Sequence, residues 1–332
     1  MINTVGAIGG SVHLSSIPVW NRTFHGEIVQ GAGSFGTYRS AVSLGGGNRQ
    51  LQVRVRTMHE QSENDFQYLN TANGLWNYER QEHAGYAMNG IMGEINYRKE
   101  KHKLSAYLWL QGSDRNLPPI MSYEGNGREE TQKDRHTRTS LKWYYYGKNI
   151  KSRLISGYSQ TLLDYYLATQ TGEVYVVNYN STGITQSVHN KYTLEAELGP
   201  STILRGTVNY DFHRADFTDE QTLTGYSADR SETGAALSIH QKITGSLFSY
   251  FLLRGELTGR DLSPLMPSLG LEYSPLKYEA LALKLNLGRN YHHPSMNDLY
   301  WVPGGNPDLR PEEGYSMDVT ADFFRQIDSV FT

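Results

Sequence analysis

The chain has 332 residues, a net charge of −3 and no cysteine. Disulfides, thiolate metal sites and cysteine nucleophiles are therefore excluded, and no basic surface advertises nucleic acid. No stretch approaches the roughly 18 apolar residues of a membrane helix, which leaves a membrane β-barrel open, because only alternate barrel residues meet lipid.

The first segment, MINTVGAIGGSVHL, has no basic region followed by an apolar run, so no signal peptide is visible. Beyond it, period two dominates. Leu51, Val53 and Val55 alternate with Gln52, Arg54 and Arg56. Tyr192, Leu194, Ala196 and Leu198 alternate with Lys191, Thr193, Glu195 and Glu197. Leu204, Gly206, Val208 and Tyr210 alternate with Arg205, Thr207, Asn209 and Asp211, and Leu281, Leu283, Leu285 and Leu287 repeat the pattern. This is strand periodicity with one apolar and one polar face. The runs are roughly 10 to 14 residues long, against about 5–6 in ordinary domains and about 9–11 for a tilted strand that crosses a bilayer. In a soluble sandwich the charged face would meet solvent; in a barrel it would line a wet lumen.

The connections alternate as well. Short turns are expected at Gly45–Asn48, Lys99–His102, Gly147–Asn149, Gly199-Pro200, Thr244-Gly245 and Ser274-Pro275. Long loops are expected at about 60–83, 114–135, 162–187, 214–229 and 291–312, with short exceptions near Ser34-Phe35 and Gly259–Ser263. Short turns on one side and long loops on the other form the outer-membrane barrel pattern, and the count comes to about 14 strands. Aromatic residues near expected strand ends, such as Trp109, Trp143, Tyr144 and Tyr250, fit interfacial girdles or ordinary sheet packing.

Candidate chemistry concentrates in two places. The stretch from Arg289 to Val319 holds the pair His292-His293 and the carboxylates Asp298, Asp308, Glu312 and Glu313. Adjacent strand residues point to opposite faces, and neither HExxH spacing nor a nucleophile elbow is present. No catalytic residue, metal or cofactor is therefore assigned, and the Gly-Asn-Pro and Pro-Asp runs read as turn chemistry. The second place is the segment Leu162–Gly183, with Tyr165, Tyr166, Tyr175 and Tyr179 in an expected outward loop; Trp76 and Tyr78 occupy an earlier one. Exposed aromatics among Asn, Thr and Gly suit a planar or sugar-like ligand. They also suit a cap in which the rings fold over one another.

The order Arg289, Pro294, Asp298-Leu299-Tyr300, then Gly305-Asn306-Pro307-Asp308-Leu309-Arg310-Pro311-Glu312, closely resembles the signature of TonB-dependent outer-membrane receptors. The segment Gly6–Ser16 resembles the last strand of that family's plug domain, and Asn64–Asn70 and Asp114–Pro119 resemble loop segments of its cobalamin- and siderophore-type branch. The resemblance implies an all-β fold, a transmembrane antiparallel β-barrel, with about 14 strands present of a presumed total of about 22. Residues 1–18 would then end the plug and residues 19–332 would form a partial barrel, so the chain reads as a fragment or a truncated gene product.

The same resemblance implies binding and transport, with no enzyme activity. The ligand would be scarce, such as cobalamin or a ferric siderophore. The partners would be the TonB–ExbB–ExbD energy-coupling complex acting through the plug, outer-membrane lipid and, optionally, a surface lipoprotein. Two other classes compete. A passive porin or adhesin-type barrel would lack the Gly305–Glu312 run. A soluble β-rich carbohydrate-binding protein would have shorter strands.

Overall fold

The computed structural model describes residues 16–323 apart from 73, 75, 122–126 and 276–280. The plug-like segment Gly6 to Ser15 and the terminal run Arg325 to Thr332 lie outside the described residues.

The strands are β1 (His25–Ala32), β2 (Tyr38–Gly47), β3 (Leu51–Ser62), β4 (Gln67–Asn70), β5 (Asn77–Arg80), β6 (Tyr86–Lys99), β7 (His102–Asn116), β8 (Arg128–Tyr146) and β9 (Ile150–Thr171). They continue with β10 (Val174–Gly199), β11 (Thr202–Asp219), β12 (Thr224–Lys242), β13 (Leu247–Thr258), β14 (Asp261–Leu262), β15 (Met266–Tyr273), β16 (Leu281–His292) and β17 (Glu312–Phe323). One helical turn, α1 (Met296–Tyr300), lies between β16 and β17. Fifteen strands join one antiparallel sheet in the order β1-β2-β3-β6-β7-β8-β9-β10-β11-β12-β13-β15-β16-β17, with β14 attached only to β13. The pair β4-β5 forms a separate hairpin. Each main strand therefore pairs with the next one along the chain, an up-and-down meander.

The sheet is inverted relative to a soluble one. Leu51, Val53 and Val55 are 40–42% exposed, while Gln52 and Arg54 between them are 0% and 7% exposed. Ile91 and Ile95 are exposed beside buried Glu94 and Asn96, and Val208 and Tyr210 are exposed beside buried Thr207 and Asn209. Water would drive the apolar row inward. A contiguous apolar band that stays outside is a lipid surface, and the polar row it alternates with lines a lumen. Among the described residues no helix is long and apolar enough to cross a membrane.

Five of the six short turns fall where the glycine, asparagine and proline runs placed them, and the one expected at Ser274-Pro275 runs into residues 276–280, outside the described residues. At the β2–β3 turn, Asn48 Oδ1 accepts from the backbone N–H groups of Gln50 (2.8 Å) and Leu51 (2.9 Å), an Asx turn. On the opposite side, β1 passes to β2 through Phe35 and Gly36 at φ 60° and 64°, and β13 leaves through Gly259 at φ 60°.

Two expectations change. First, the loops expected at 162–187 and 214–229 are mostly strand. β9 and β10 run for 22 and 26 residues and turn at Gly172-Glu173, and β11 and β12 turn at residues 220–223. β-branched and aromatic residues such as Thr169, Val174, Val176 and Val177 keep the ladder paired past the membrane. Second, the aromatic residues do not form one girdle. Trp143 and Tyr145 lie outward, beside His102 with ring centroids 6.0 and 5.2 Å away, whereas Trp109, Tyr144 and Tyr250 stand on the lumenal rows. Strand alternation, not end position, sets the face.

Among the described residues β1 and β17 do not pair, so the wall has two edges. The inversion has a direct test. Val208→Arg, at the middle of the lipid face, is expected to destabilise the membrane-inserted chain by about 2–4 kcal/mol. The same change at lumen-facing Thr185 should cost clearly less, measured by urea unfolding in liposomes.

Candidate functional site

Short turns mark the periplasmic end of such a wall and long connections the outer end. Three structures crowd that outer end: the β16–β17 loop, the extended hairpin β9–β10 and the small hairpin β4–β5.

The β16–β17 loop begins with a helix cap. Ser295 Oγ accepts from the backbone N–H of Asp298 (3.1 Å), and the Ser295 backbone N–H donates to Asp298 Oδ2 (3.0 Å), closing a capping box. Hydrogen bonds from the Ser295 hydroxyl, then from its backbone N–H, hold the Asp298 carboxyl below the usual carboxylate range. The return is equally local. The backbone N–H of Asn306 donates to the Asp298 carbonyl (2.8 Å), Asn306 Oδ1 accepts from the Asp308 N–H (3.0 Å), and the Leu309 N–H donates to the Asn306 carbonyl (3.2 Å). A Cβ on Gly305 would lie 2.6 Å from both the nitrogen and the oxygen of Trp301, so only glycine fits there. Pro307 and Pro311 carry the chain to β17, which starts at Glu312.

This loop is seated on the β11–β12 hairpin. Arg230 Nη1 donates to the Pro294 carbonyl (2.7 Å), the Trp301 ring lies 4.7 Å from Phe217, and the Tyr300 ring lies 6.3 Å from Tyr226. Arg289, opposite Tyr315 in the ladder, donates from Nη2 to Glu313 Oε2 (2.9 Å). Of the carboxylates in the stretch, Asp298 is thus taken up by a cap and Glu313 by a strand pair. His293 contacts Tyr291 (Nε2 to Oη, 3.4 Å), and among the described residues no group of three or more metal-ligating side chains is present.

The tyrosines separate into two pairs. Tyr165 stands opposite Ser181 and Tyr179 opposite Leu167, on the lumenal rows of β9 and β10. Tyr166 stands opposite Asn180 and Tyr175 opposite Gln170, on the other face. Plain alternation from Ser181 keeps Tyr179 on the Tyr165 side, and a bulge between Val177 and Tyr179 shifts the register and turns Tyr175 to the opposite face. Tyr165 donates its hydroxyl to Glu130 Oε1 (2.7 Å), and burial together with that bond pushes its pKa up to about 12. Trp76 and Tyr78 lie on the β4–β5 hairpin, 67% and 78% exposed. That hairpin is braced by Asn70 Nδ2, which donates to Glu79 Oε2 and to the Met121 carbonyl (both 3.0 Å), and by an Arg80–Asp65 ion pair (2.5 Å). Trp76 and Tyr78 are thus presented on a different hairpin from the four tyrosines.

Composition did not mark Asp219, yet it fastens β10, β11 and the turn to β12. It accepts from Ser181 Oγ (2.5 Å), from the Asn180 N–H (3.1 Å), and from the N–H (2.7 Å) and hydroxyl (2.9 Å) of Thr222. Burial pushes its pKa up, but these donors outweigh burial and hold it at about 2. The signal available in sequence was the spacing Asp219 to Thr222, an Asx-type turn.

A wall apolar outside and polar inside, with turns at one end and aromatic-bearing hairpins at the other, defines an outer-membrane β-barrel protein. The family model described as TonB dependent receptor-like, beta-barrel, matches residues 19–332, and the chain belongs to that family. Members are outer-membrane transport proteins, not enzymes. The fold is that of the siderophore receptor PirA from Acinetobacter baumannii (TM-score 0.69, 15% identity, 93% of this chain on 52% of that one). It is equally that of the copper transporter OprC (TM-score 0.73, 10% identity, 94% on 54%) and of a mutant ferric enterobactin receptor, PfeA, from Pseudomonas aeruginosa (TM-score 0.70, 13% identity, 92% on 52%). The chain spans about half the length of these structures. No curated protein sequence matches it.

Two outcomes follow. Asp219 has a folded pKa of about 2, below the ordinary value of about 3.9. Its stabilisation of the β11–β12 turn is therefore fully present above pH ~4 and is lost as pH falls toward about 2. Hydrogen exchange at the Thr222 amide, corrected for its intrinsic pH dependence, should stay slow down to pH ~4 and accelerate below it, and Asp219→Ala should exchange fast at all pH. Gly305→Ala should unseat the loop from β11–β12, read as loss of Trp301 fluorescence shielding from an aqueous quencher, with the sheet's circular dichroism unchanged.

Proposed function

We propose that this chain is the wall of a receptor that takes up a scarce ligand, of the cobalamin or ferric-siderophore kind, across the outer membrane. The observation that carries the reading is the pair of aromatic-bearing hairpins standing beyond the membrane on a transport-family barrel. Tyr165 and Tyr179, facing the lumenal side, offer rigid amphipathic rings at the mouth, as ligand sites commonly do. Trp76 and Tyr78 offer a second contact on the β4–β5 hairpin.

Residues 1–18 would be the end of a plug, with residues 19–332 forming the wall. In support, Ser16 Oγ donates to Glu94 Oε2 on the lumenal face at 2.9 Å, so the chain reaches the first strand from inside. Energy would come from a TonB–ExbB–ExbD complex acting on the plug, and a surface lipoprotein could assist capture.

The test is uptake of radiolabelled cobalamin or ferric siderophore by cells expressing a receptor that carries this wall. Uptake should stop when a protonophore collapses the inner-membrane potential. Uptake that persists would assign the wall to a passive pore. Replacing Trp76, Tyr78, Tyr165, Tyr166, Tyr175 and Tyr179 together by alanine should weaken ligand binding by about tenfold or more, as loss of aromatic anchors does. The Tyr165→Ala/Tyr179→Ala pair should account for more of that loss than the Tyr166→Ala/Tyr175→Ala pair. Unchanged binding in the sixfold variant would remove these residues from the site.

A further inference from the structure

Across most of the lumenal face the cations meet carboxylates, singly or two to one. Arg56 meets Glu94 at 3.0 Å, Arg205 meets Glu195 at 2.5 Å, Arg230 meets Glu232 at 2.8 Å and Lys284 meets Asp322 at 2.7 Å. This is what a wall of limited dielectric demands, since an uncompensated charge there is costly.

One sector departs from the rule. The ladders between β7, β8, β9 and β10 set four successive lumenal rows in register. Lys103, Tyr144, Arg153 and Thr193 form the lowest of the four, one row above Tyr146, Lys151 and Glu195, and are followed by Ser105, Lys142, Ile155 and Lys191. Above them lie Tyr107, Ser140, Gly157 and His189, then Trp109, Arg138, Ser159 and Ser187. These rows hold five lysines and arginines and no carboxylate. Among the described residues, Lys103, Arg138, Lys142 and Arg153 have no carboxylate within ion-pair reach.

The carboxylates that border the sector are already engaged. Glu94, opposite Tyr107, is held by Arg56 and Ser16. Asp211, opposite His189, accepts from His189 Nδ1 at 2.8 Å and from Asn209 Nδ2 at 2.6 Å. Glu195 is shared by Arg205 and Lys151.

Aromatic rings replace carboxylates as the local partners. Arg138 lies 4.7 Å from the Trp109 ring centroid, Lys142 lies 4.5 Å from Tyr107 and Lys103 lies 5.5 Å from Tyr144. A ring attracts a cation without neutralising it. The cations are therefore positioned but still carry their charge toward the lumen. The side chains between them, Ser140, Gly157, Ser159 and Ser187, are small, and a recess of about 370 Å³ lies at the periplasmic border of the sector, where Tyr144, Arg153 and Lys191 meet Lys151, Glu195 and Arg205. With four cations against one carboxylate in its lining, the recess is net positive and concentrates counter-ions.

We propose that the lumenal rows of β7–β10 are a binding site for a multiply charged, planar anion, a small molecule bearing carboxylate or phosphate groups. Its charges meet Arg138, Lys142 and Arg153, and its plane rests among Trp109, Tyr107 and Tyr144. This deepens the uptake reading, on which it rests for its role: the cargo is anionic and meets a second contact half-way along the lumen, below the outer hairpins.

The test titrates the detergent-solubilised chain with trimesate, a planar tricarboxylate, by calorimetry and by Trp109 fluorescence, with neutral trimesamide as the control ligand. Saturable trimesate binding is expected, with much weaker trimesamide binding. In Lys142→Gln/Arg153→Gln the affinity should fall by about tenfold or more, as loss of charge-assisted contacts predicts. Lys284→Gln, elsewhere on the wall, should bind as the parent does. Trp109→Phe should lose the fluorescence response while calorimetry still reads binding. Circular dichroism checks that each variant keeps its sheet. No saturable binding, equal affinity for the two ligands, or unchanged affinity in the folded double variant would overturn the site. Binding of a poly-glutamate peptide that trimesate does not displace would assign the sector to a protein segment and overturn it too. Because binding is read without transport, lost uptake with intact binding rejects the uptake reading alone, and absent binding with intact uptake rejects this site alone.

Discussion

In hydrocarbon a peptide group has no water to bond, so each backbone N–H and C=O inside the bilayer must find its partner within the wall. The up-and-down meander meets that requirement strand by strand, from β1 to β17. Once the backbone is committed to the ladder, side chains alternate with no freedom to choose a face. Leu204, Val208 and Tyr210 fall to lipid because Arg205, Thr207, Asn209 and Asp211 fall to the lumen. The same requirement bears on the two edges, where β1 and β17 present strand groups that need partners in lipid.

The ladder also explains what happens beyond the membrane. β9 and β10 stay paired to Thr171 and Val174, so the tyrosines of this segment are held at fixed heights and on fixed faces. Around them, short-range polar bonds finish the outer end: Asp219 fastens one turn, the Ser295–Asp298 box fastens another, and Gly305 lets the β16–β17 loop close onto Trp301. Inside, charges are compensated in pairs almost throughout. In the β7–β10 sector pairing gives way to a cluster of cation–aromatic contacts.

Much of this was legible in the sequence. Period two marked the strands, and turn residues marked the short connections, because both signals are local. The ordered run from Arg289 to Glu312 marked the family and the loop. The length of β9 and β10 was not legible. Polar and aromatic residues such as Tyr175, Asn178 and Tyr179 read as loop when they in fact extend a strand into water. The separation of Tyr165 from Tyr166 follows from alternation, but the side taken by Tyr175 depends on the bulge after Val177, which no residue type announces. The unpaired cations were hidden for a related reason. Lys103, Lys142 and Arg153 are far apart in sequence and become neighbours only through register.

The central claim is the inversion of the sheet, apolar rows in lipid and polar rows in a wet lumen. The chain has no cysteine, so single cysteines can be placed at each position from Leu204 to His213 on β11 and spin-labelled in liposomes. Collision with lipid-soluble oxygen should peak at Leu204, Gly206, Val208, Tyr210 and Phe212, and collision with a water-soluble nickel chelate should peak at the positions between them. Equal accessibility along the strand, or the opposite phase, would contradict the account.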